Sequence, residues 1–464
     1  MCYHRHYETT RPHPAGIDHD AAMTYATTRR RGANSEMNKL YPEDRAVHGW
    51  YRFVLSFPPH LVRTYLERFA IHGDQRVLDP FCGTGTVLVE AKKAGVCSVG
   101  VEVNPMAYVA TRTKIDWSPD PDGLVEHAMR VAALASSSLL AEGIEDSPVF
   151  FAVDSSQQGQ HSLRTLSDER AALLLSDSIS PLPLHKILVL LETLERQRDD
   201  RYHQHESLAL AKALVYSISN LHFGPEVGVG APKLDAPVVS TWLSGVRTMA
   251  DDLRQVQALD GHNSTARVHH ADARQIPAVL EPASIDAVIT SPPYPNEKDY
   301  TRATRLESVL LGFINNKEEL QALKRGLVRS NTRGVYKGDD DDQWIVNHAE
   351  IGRIADQIEA RRIELGKTSG FERMYARVTK LYFGGMARHL ASVRTVLRPG
   401  AHLAYVVGDQ ASYLRVMIPT GRLLADIARS LGYEVTGIDL FRTRLATATK
   451  QQLREEVVLL RWPG

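Results

Sequence analysis

The sequence predicts an α/β fold, a doubly wound sheet of seven strands with helices on both faces and a large, mostly helical insertion. Three observations predict it. A short apolar run ending at Leu78-Asp79 leads into a glycine-rich turn, a helical pattern and a second apolar run closing on Glu102, the order that opens such a sheet. Residues 266–274 and 285–294 read as a third and a fourth strand, and three more follow a long amphipathic stretch near the end. Between the second and third strands, residues 116–264 show mostly helical apolar spacing.

Composition narrows the class. The 464 residues are enough for two or three domains, or for one domain with large insertions. A formal net charge of +0 gives no general pull towards nucleic acid, so any such reading has to come from motifs. No apolar run reaches membrane-spanning length, and the polar N-terminus lacks the apolar core of an export signal. Cys2, Cys82 and Cys97 have neither metal nor disulfide spacing and suit a reducing cytosol. A cytoplasmic protein with no membrane partner is expected.

Taken in order, residues 1–36 read as a flexible arm rich in His, Arg, Thr and Pro, a solvated tail or a segment upstream of the true start at Met23 or Met37. Residues 37–115 form the first part of the core. Its first helix opens at Pro59, with Leu61, Tyr65, Leu66 and Phe69 on one face. After the glycine turn a second helix carries Val87, Leu88 and Ala91. The insertion at 116–264 contains the helical stretches "LPLHKILVLLETLERQ" and "ESLALAKALVYSI", and "HFGPEVGVGAPKLDAP" reads as a Gly/Pro-rich loop within it. It is a candidate recognition subdomain. Residues 265–464 complete the core. Within them, 315–375 is a charged helical insertion whose "GDDDDQ" run reads as a solvated loop. A long helix closed by Pro399-Gly400 precedes the last three strands, "AHLAYVVGD", "YEVTGIDLFRTR" and "EEVVLLRW".

The chemistry-bearing residues fall at strand ends. In "LDPFCGTGT", Asp79 ends the first strand, and Gly83 and Gly85 let a ligand approach the main chain. Glu102 ends the second strand about twenty residues on, where a carboxylate can accept from two ribose hydroxyls. Cys82 has no evident His partner and reads as a small apolar filler. Asp272, after the third strand, could accept from an adenine amino group or simply cap a turn. His269 and His270 are adjacent in a strand and face opposite ways, so no metal is assigned. After the fourth strand stands Ser291-Pro292-Pro293-Tyr294. Two prolines cannot continue a central strand, so this turn must present something to solvent or ligand.

Asp79-Pro80-Phe81-Cys82-Gly83-Thr84-Gly85-Thr86, followed in order by Ser291-Pro292-Pro293-Tyr294, resembles the S-adenosylmethionine-dependent amino-methyltransferases of DNA, which methylate cytosine N4 or adenine N6. The resemblance covers the strands bearing these motifs, about half of the chain, and neither the insertion at 116–264 nor the arm. It implies a Rossmann-like methyltransferase sheet, with the turn of Asp79, Pro80, Phe81, Gly83, Gly85 and Thr86 holding the methionine part of S-adenosylmethionine. It also implies that Glu102 binds the ribose and Asp272 the adenine amino group. The stretch around Phe57 and Pro58 is implied as a further cofactor contact. Catalysis is implied for Ser291, Pro292, Pro293 and Tyr294: hydroxyl and carbonyl accept the two N–H bonds of the target amine, and the tyrosine offers a face to the flipped base. Ser at the first position favours cytosine N4 over adenine N6. Asn296, Lys298, Arg302 and Arg305 lie beside this motif and are candidate substrate contacts, Arg302 and Arg305 either on phosphates or in a structural network with Asp299 and Glu307. Double-stranded DNA is the implied partner, with a cognate restriction endonuclease as another. The chain ends just after the seventh strand, so target reading is expected from 116–264, from 315–375, or from both. The competing readings are an adenine-N6 enzyme, an RNA base amino-methyltransferase and a non-catalytic cofactor-binding scaffold.

Overall fold

The computed structural model describes residues 39–52, 57–146, 162–223, 226–259, 263–295, 299–445 and 452–464. The arm at 1–36 lies outside them. Helix α1 (Pro59–Arg68) precedes β1 (Arg76–Asp79), α2 (Thr86–Lys93), β2 (Cys97–Glu102) and α3 (Pro105–Ile115). The insertion contributes α4 (Pro121–Ala141), α5 (Pro181–Arg196), α6 (His203–Ala213), a hairpin of β3 (Leu221–Phe223) and β4 (Val227–Val229), and α7 (Val239–Gln257). Then come β5 (Ala266–His270), β6 (Ile285–Thr290), α8 (Lys317–Gly326), α9 (Ala349–Glu364), α10 (Tyr375–Val393), β7 (Leu397–Gly408), α11 (Thr420–Ser430), β8 (Glu434–Leu445) and β9 (Gln452–Arg461). Local chemistry sets several starts. Asn104 and Asp120 accept backbone N–H bonds at the openings of α3 and α4, each with proline in the first turn. Among the described residues no helix is long and apolar enough to cross a membrane.

Seven strands form one sheet in the order β5-β2-β1-β6-β7-β9-β8. Neighbours are parallel except that β9 runs antiparallel to β7 and β8. The chain winds outwards from β1 through β2 to β5, then returns to β6 on the other side of β1. The carboxyl ends of β1 and β6 therefore flank the switch point, where ligands of open α/β sheets bind. Side chains alternate between the faces. Val77, Ala287, Ile289, Ala404 and Val406 pack on one side with α1 to α7, and Leu78, Val288, Leu403, Tyr405 and Val407 on the other with α9 to α11. The sheet and its two helical layers agree with the predicted fold class.

Three local expectations need correcting. The Gly/Pro-rich stretch after α6 holds the β3–β4 hairpin, in which the His222 ring lies over Gly228, 2.3 Å from where a Cβ would sit. Strand β7 starts before Pro399-Gly400, pairing Leu397 with Ile285; the register then breaks and resumes at His402 opposite Ala287, with Gly400 at φ +88°. The "GDDDDQ" run is not simply a solvated loop. Asp341 is buried, accepting from Arg274 at 2.5 Å and Arg388 at 3.1 Å, while Asp339 pairs with Arg329 at 2.7 Å. Helix α10 carries Gly384 there because a Cβ would lie 2.0 Å from the Asp341 carbonyl oxygen.

Candidate active site

At the end of β1, Asp79 is fully buried. Its Oδ1 accepts from Thr290 Oγ1 at 2.6 Å and from the Phe81 N–H at 3.2 Å, tying β1 to β6. Its Oδ2 is buried with no hydrogen-bond partner among the described residues. Burial pushes this carboxyl up to about 7 against those two bonds. The glycines of the turn serve different ends. Both have positive φ, +50° at Gly83 and +84° at Gly85. A Cβ at Gly83 would meet nothing within 4 Å, whereas one at Gly85 would lie 2.9 Å from Thr111 Cγ2. The room at Gly85 is therefore taken by α3 rather than left for a ligand.

Helix α3 also fastens the turn from behind. Thr111 Oγ1 donates to the Gly83 carbonyl at 2.7 Å, and the buried Lys114 Nζ to the Thr84 carbonyl at 3.0 Å and to the Tyr51 carbonyl. Sequence reasoning missed both, although their i, i+3 spacing on a helix after the second strand was visible. Glu102, at the end of β2, accepts from the Gly83 N–H at 2.8 Å and the Asn104 N–H at 2.7 Å, and burial pushes its carboxyl up to about 7. Cys82 is buried against Gly100, where a Cβ would lie 2.9 Å from its sulfur, and burial pushes its thiol up.

Strand β6 stops at Thr290, and Ser291, Pro292, Pro293 and Tyr294 follow along the end of β7. Ser291 Oγ donates to the Val406 carbonyl at 3.3 Å. The Tyr294 ring lies against Gly408, where a Cβ would fall 2.8 Å from its Cε2. One cleft of about 830 Å³ is lined by both halves: Phe57, Pro80, Phe81, Gly83, Thr86 and Glu102 on one side, and Ser291 through Tyr294 on the other. Asp272 lines it too, with its carboxylate clasped by Arg274 at 2.7 Å. Asp79 and Gly85 stand behind the wall rather than on it.

The flanking candidates divide. Asn296 and Lys298 lie outside the described residues. Arg305 does not line the cleft; it donates to the Thr301 carbonyl at 2.9 Å and the Leu173 carbonyl at 3.2 Å. A guanidinium spent on internal carbonyls is held away from phosphate, so that expectation is corrected for Arg305. Arg302 is also off the cleft wall, and its Nε is buried with no hydrogen-bond partner among the described residues. Neither arginine forms the ion pairs considered for it, because Asp299 faces Lys324 at 3.5 Å and Glu307 accepts from Tyr51 Oη at 2.5 Å.

The residues present fit S-adenosylmethionine. Gly83 opens onto the cleft with nothing where a Cβ would sit, a carboxylate stands at the end of the adjacent strand, and the volume suits a nucleoside-sized ligand. Comparison with known proteins points the same way. A family model described as DNA methylase matches residues 22–112. Type II methyltransferase M.BsoBI of Geobacillus stearothermophilus is 23% identical over 471 residues, spanning 94% of this chain and 87% of that protein. Type II methyltransferase M.AvaI of Anabaena variabilis is 23% identical over 474 residues, spanning 93% and 87%. A tRNA (guanine(10)-N2)-dimethyltransferase of Methanothermobacter thermautotrophicus is 37% identical over 60 residues, 13% of this chain and 18% of that one. The family match and the two relatives that span most of the chain support the S-adenosylmethionine-dependent DNA amino-methyltransferase family that the motifs resemble.

Proposed function

We propose that this protein methylates the exocyclic amino group of a base flipped out of double-stranded DNA at a specific site, at cytosine N4 rather than adenine N6. The observation carrying the reading is that Ser291-Pro292-Pro293-Tyr294 and the glycine turn line one cleft at the switch point of the sheet. When bound, S-adenosylmethionine supplies an electrophilic methyl group on a sulfonium. Pro80, Phe81, Gly83 and Thr86 would hold its methionine part and Glu102 its ribose, while Asp272 would meet the adenine. Asp79 and Gly85 would act from behind, fixing the turn to β6 and to α3.

An aryl amine is a poor nucleophile because its lone pair is delocalised into the ring. Ser291 Oγ already spends its hydrogen on the Val406 carbonyl, so its lone pairs face outwards as acceptors. The Pro292 carbonyl is the second acceptor, held by a backbone whose φ the ring fixes. Accepting both N–H bonds favours a pyramidal nitrogen and aims its lone pair; as the N–C bond forms the methyl–sulfur bond breaks with its electron pair left on sulfur, and the excess proton on nitrogen is released to solvent. Tyr294, seated on Gly408, gives the base a flat face.

Serine rather than a carboxylate or amide at 291 supports cytosine. The likeness to two Type II methyltransferases over most of the chain supports DNA and a cognate restriction endonuclease as partners; target reading falls to 116–264, to 315–375 or to both. An RNA base is the second reading, resting on the short match to a tRNA methyltransferase. Mass spectrometry of nucleosides from DNA and from RNA incubated with enzyme and S-adenosylmethionine separates these. N4-methylcytosine in DNA is expected, and N6-methyladenine or a methylated ribonucleoside in its place would overturn the reading.

A further inference from the structure

Beyond Ser291 and Tyr294 the cleft runs onto the antiparallel end of the sheet. There Gly408 of β7 pairs with Glu455 of β9, and Glu455 with Arg442 of β8. Gly408 is a shared floor. The Cβ it lacks would lie 2.8 Å from Tyr294 Cε2 and 3.3 Å from Glu455 Cγ, so ring and acidic side chain stand side by side over one glycine. Glu455 is buried and clasps Arg442 along one edge, accepting from Nε at 2.5 Å and from Nη2 at 3.0 Å. Arg444 Nε stands 3.6 Å from the same carboxylate. All three side chains line the cleft.

That clasp has a chemical consequence. A guanidinium has five N–H bonds in one plane, and this clasp takes the Nε edge. The Nη1 end is left outside it, fixed in orientation before any ligand arrives. We propose that Arg442, oriented by Glu455, is a specificity-determining residue that donates from this end to the ring N3 and O2 of the flipped base. The assignment rests on the reading of Ser291 and Tyr294 as the target pocket and of cytosine as the target. Beside its amino group cytosine offers two neighbouring acceptors, N3 and O2. Adenine offers one, N1, followed by a C–H. A fixed donor therefore finds two partners on cytosine and one on adenine, where the second N–H is left facing carbon.

The test uses the full chain and a duplex carrying its target sequence, once sequencing of methylated plasmid DNA has located it. The target cytosine is replaced by 3-deazacytosine, which keeps the amino group and O2 and lacks the N3 acceptor. The wild type is expected to favour cytosine over the analogue by about 10–100-fold in kcat/KM, the discrimination of one good recognition contact. In Arg442→Met the two substrates should come within about threefold, and the change in ratio cancels any difference in their intrinsic reactivity. Arg442→Lys keeps the charge without the planar fork and should lose most of the discrimination while binding S-adenosylhomocysteine like the wild type, which also shows that the fold survives. Unchanged discrimination in either variant would overturn the assignment while N4-methylcytosine remained the product. Formation of N6-methyladenine by the wild type would instead remove the cytosine reading, and this assignment with it.

Discussion

Ser291 is committed on one side only, its hydrogen to the Val406 carbonyl and its lone pairs to whatever occupies the cleft. Ser291→Ala should therefore lower turnover by about 10²–10³, the usual cost of losing one aimed hydrogen-bond partner in a transition state. Calorimetry should show S-adenosylhomocysteine binding nearly unchanged, and undiminished turnover would remove Ser291 from the mechanism. Glu102 makes a second prediction. Its carboxyl titrates at about 7 in the fold, and ribose hydroxyls bind best to the ionised form, so at lower pH binding must first expel a proton. Cofactor affinity should fall by up to about tenfold per pH unit below 7 and level off above it. Glu102→Gln, which cannot ionise, should bind weakly with a flat profile in calorimetry from pH 5.5 to 8.5. Asp79 titrates in the same range but lies behind the cleft wall, so a slope persisting in Glu102→Gln would assign the effect to Asp79 instead. These residues could be found from sequence because each sits where an apolar run stops. Arg305 could not be placed that way, since the Leu173 carbonyl it holds is 132 residues distant in the chain.

Among elements, the seven strands were readable because glycine, proline or a carboxylate bounds each apolar run. The β3–β4 hairpin was not, since two strands of three residues carry too short a pattern to distinguish from a loop. Asp341 shows the same limit: four consecutive aspartates look alike until Arg274, 67 residues away, decides which one is buried. The joint between the two halves of the site was hidden for the same reason. Tyr51 gives its carbonyl to Lys114, which also holds the glycine turn, and its hydroxyl to Glu307 in the short helix Arg305–Leu310 beyond the Ser-Pro-Pro-Tyr motif. One tyrosine thus links the glycine turn to the helix that follows the Ser-Pro-Pro-Tyr motif. Glu307 is fully buried, its carboxyl is pushed up to about 7 by that burial, and its Oε2 has no hydrogen-bond partner among the described residues. Tyr51→Phe would remove the donor to Oε1 and leave the carboxyl buried without it. A loss of about 1–3 kcal/mol is expected, the cost of an unsatisfied buried polar group, seen as a melting temperature lower by a few degrees. An unchanged melting temperature would mean that this joint carries no stability.

At the scale of the whole molecule, topology and energetics disagree about the insertion. Topology treats 121–257 as removable, because β2, α3 and β5 alone would make an ordinary parallel crossover. Packing treats it as core. Leu124, Ile187, Leu208 and Trp242 of the insertion belong to the same apolar cluster as Val77 and Ile289 of the sheet. Polar ties reach across as well: Asp252 accepts from the Trp50 indole at 2.7 Å and the Val47 N–H at 3.0 Å, and Gln257 Nε2 donates to the Trp117 carbonyl at 2.7 Å. Excision would uncover Val47, Trp50, Ile115 and Trp117, all now buried. At about 1.5–3 kcal/mol for each large apolar side chain, that loss approaches the roughly 5–15 kcal/mol that holds a whole domain together. A chain in which a short Gly/Ser linker replaces 121–257 should therefore show no cooperative thermal transition and no binding of S-adenosylhomocysteine. A separately folding recognition module would give the opposite result, a shortened protein that melts cooperatively, binds the cofactor and has lost only its hold on DNA. Calorimetric melting with a binding titration on the same preparation decides between them. The expected outcome confines any target-reading surface of this region to the solvent side of a helical layer that the core cannot do without.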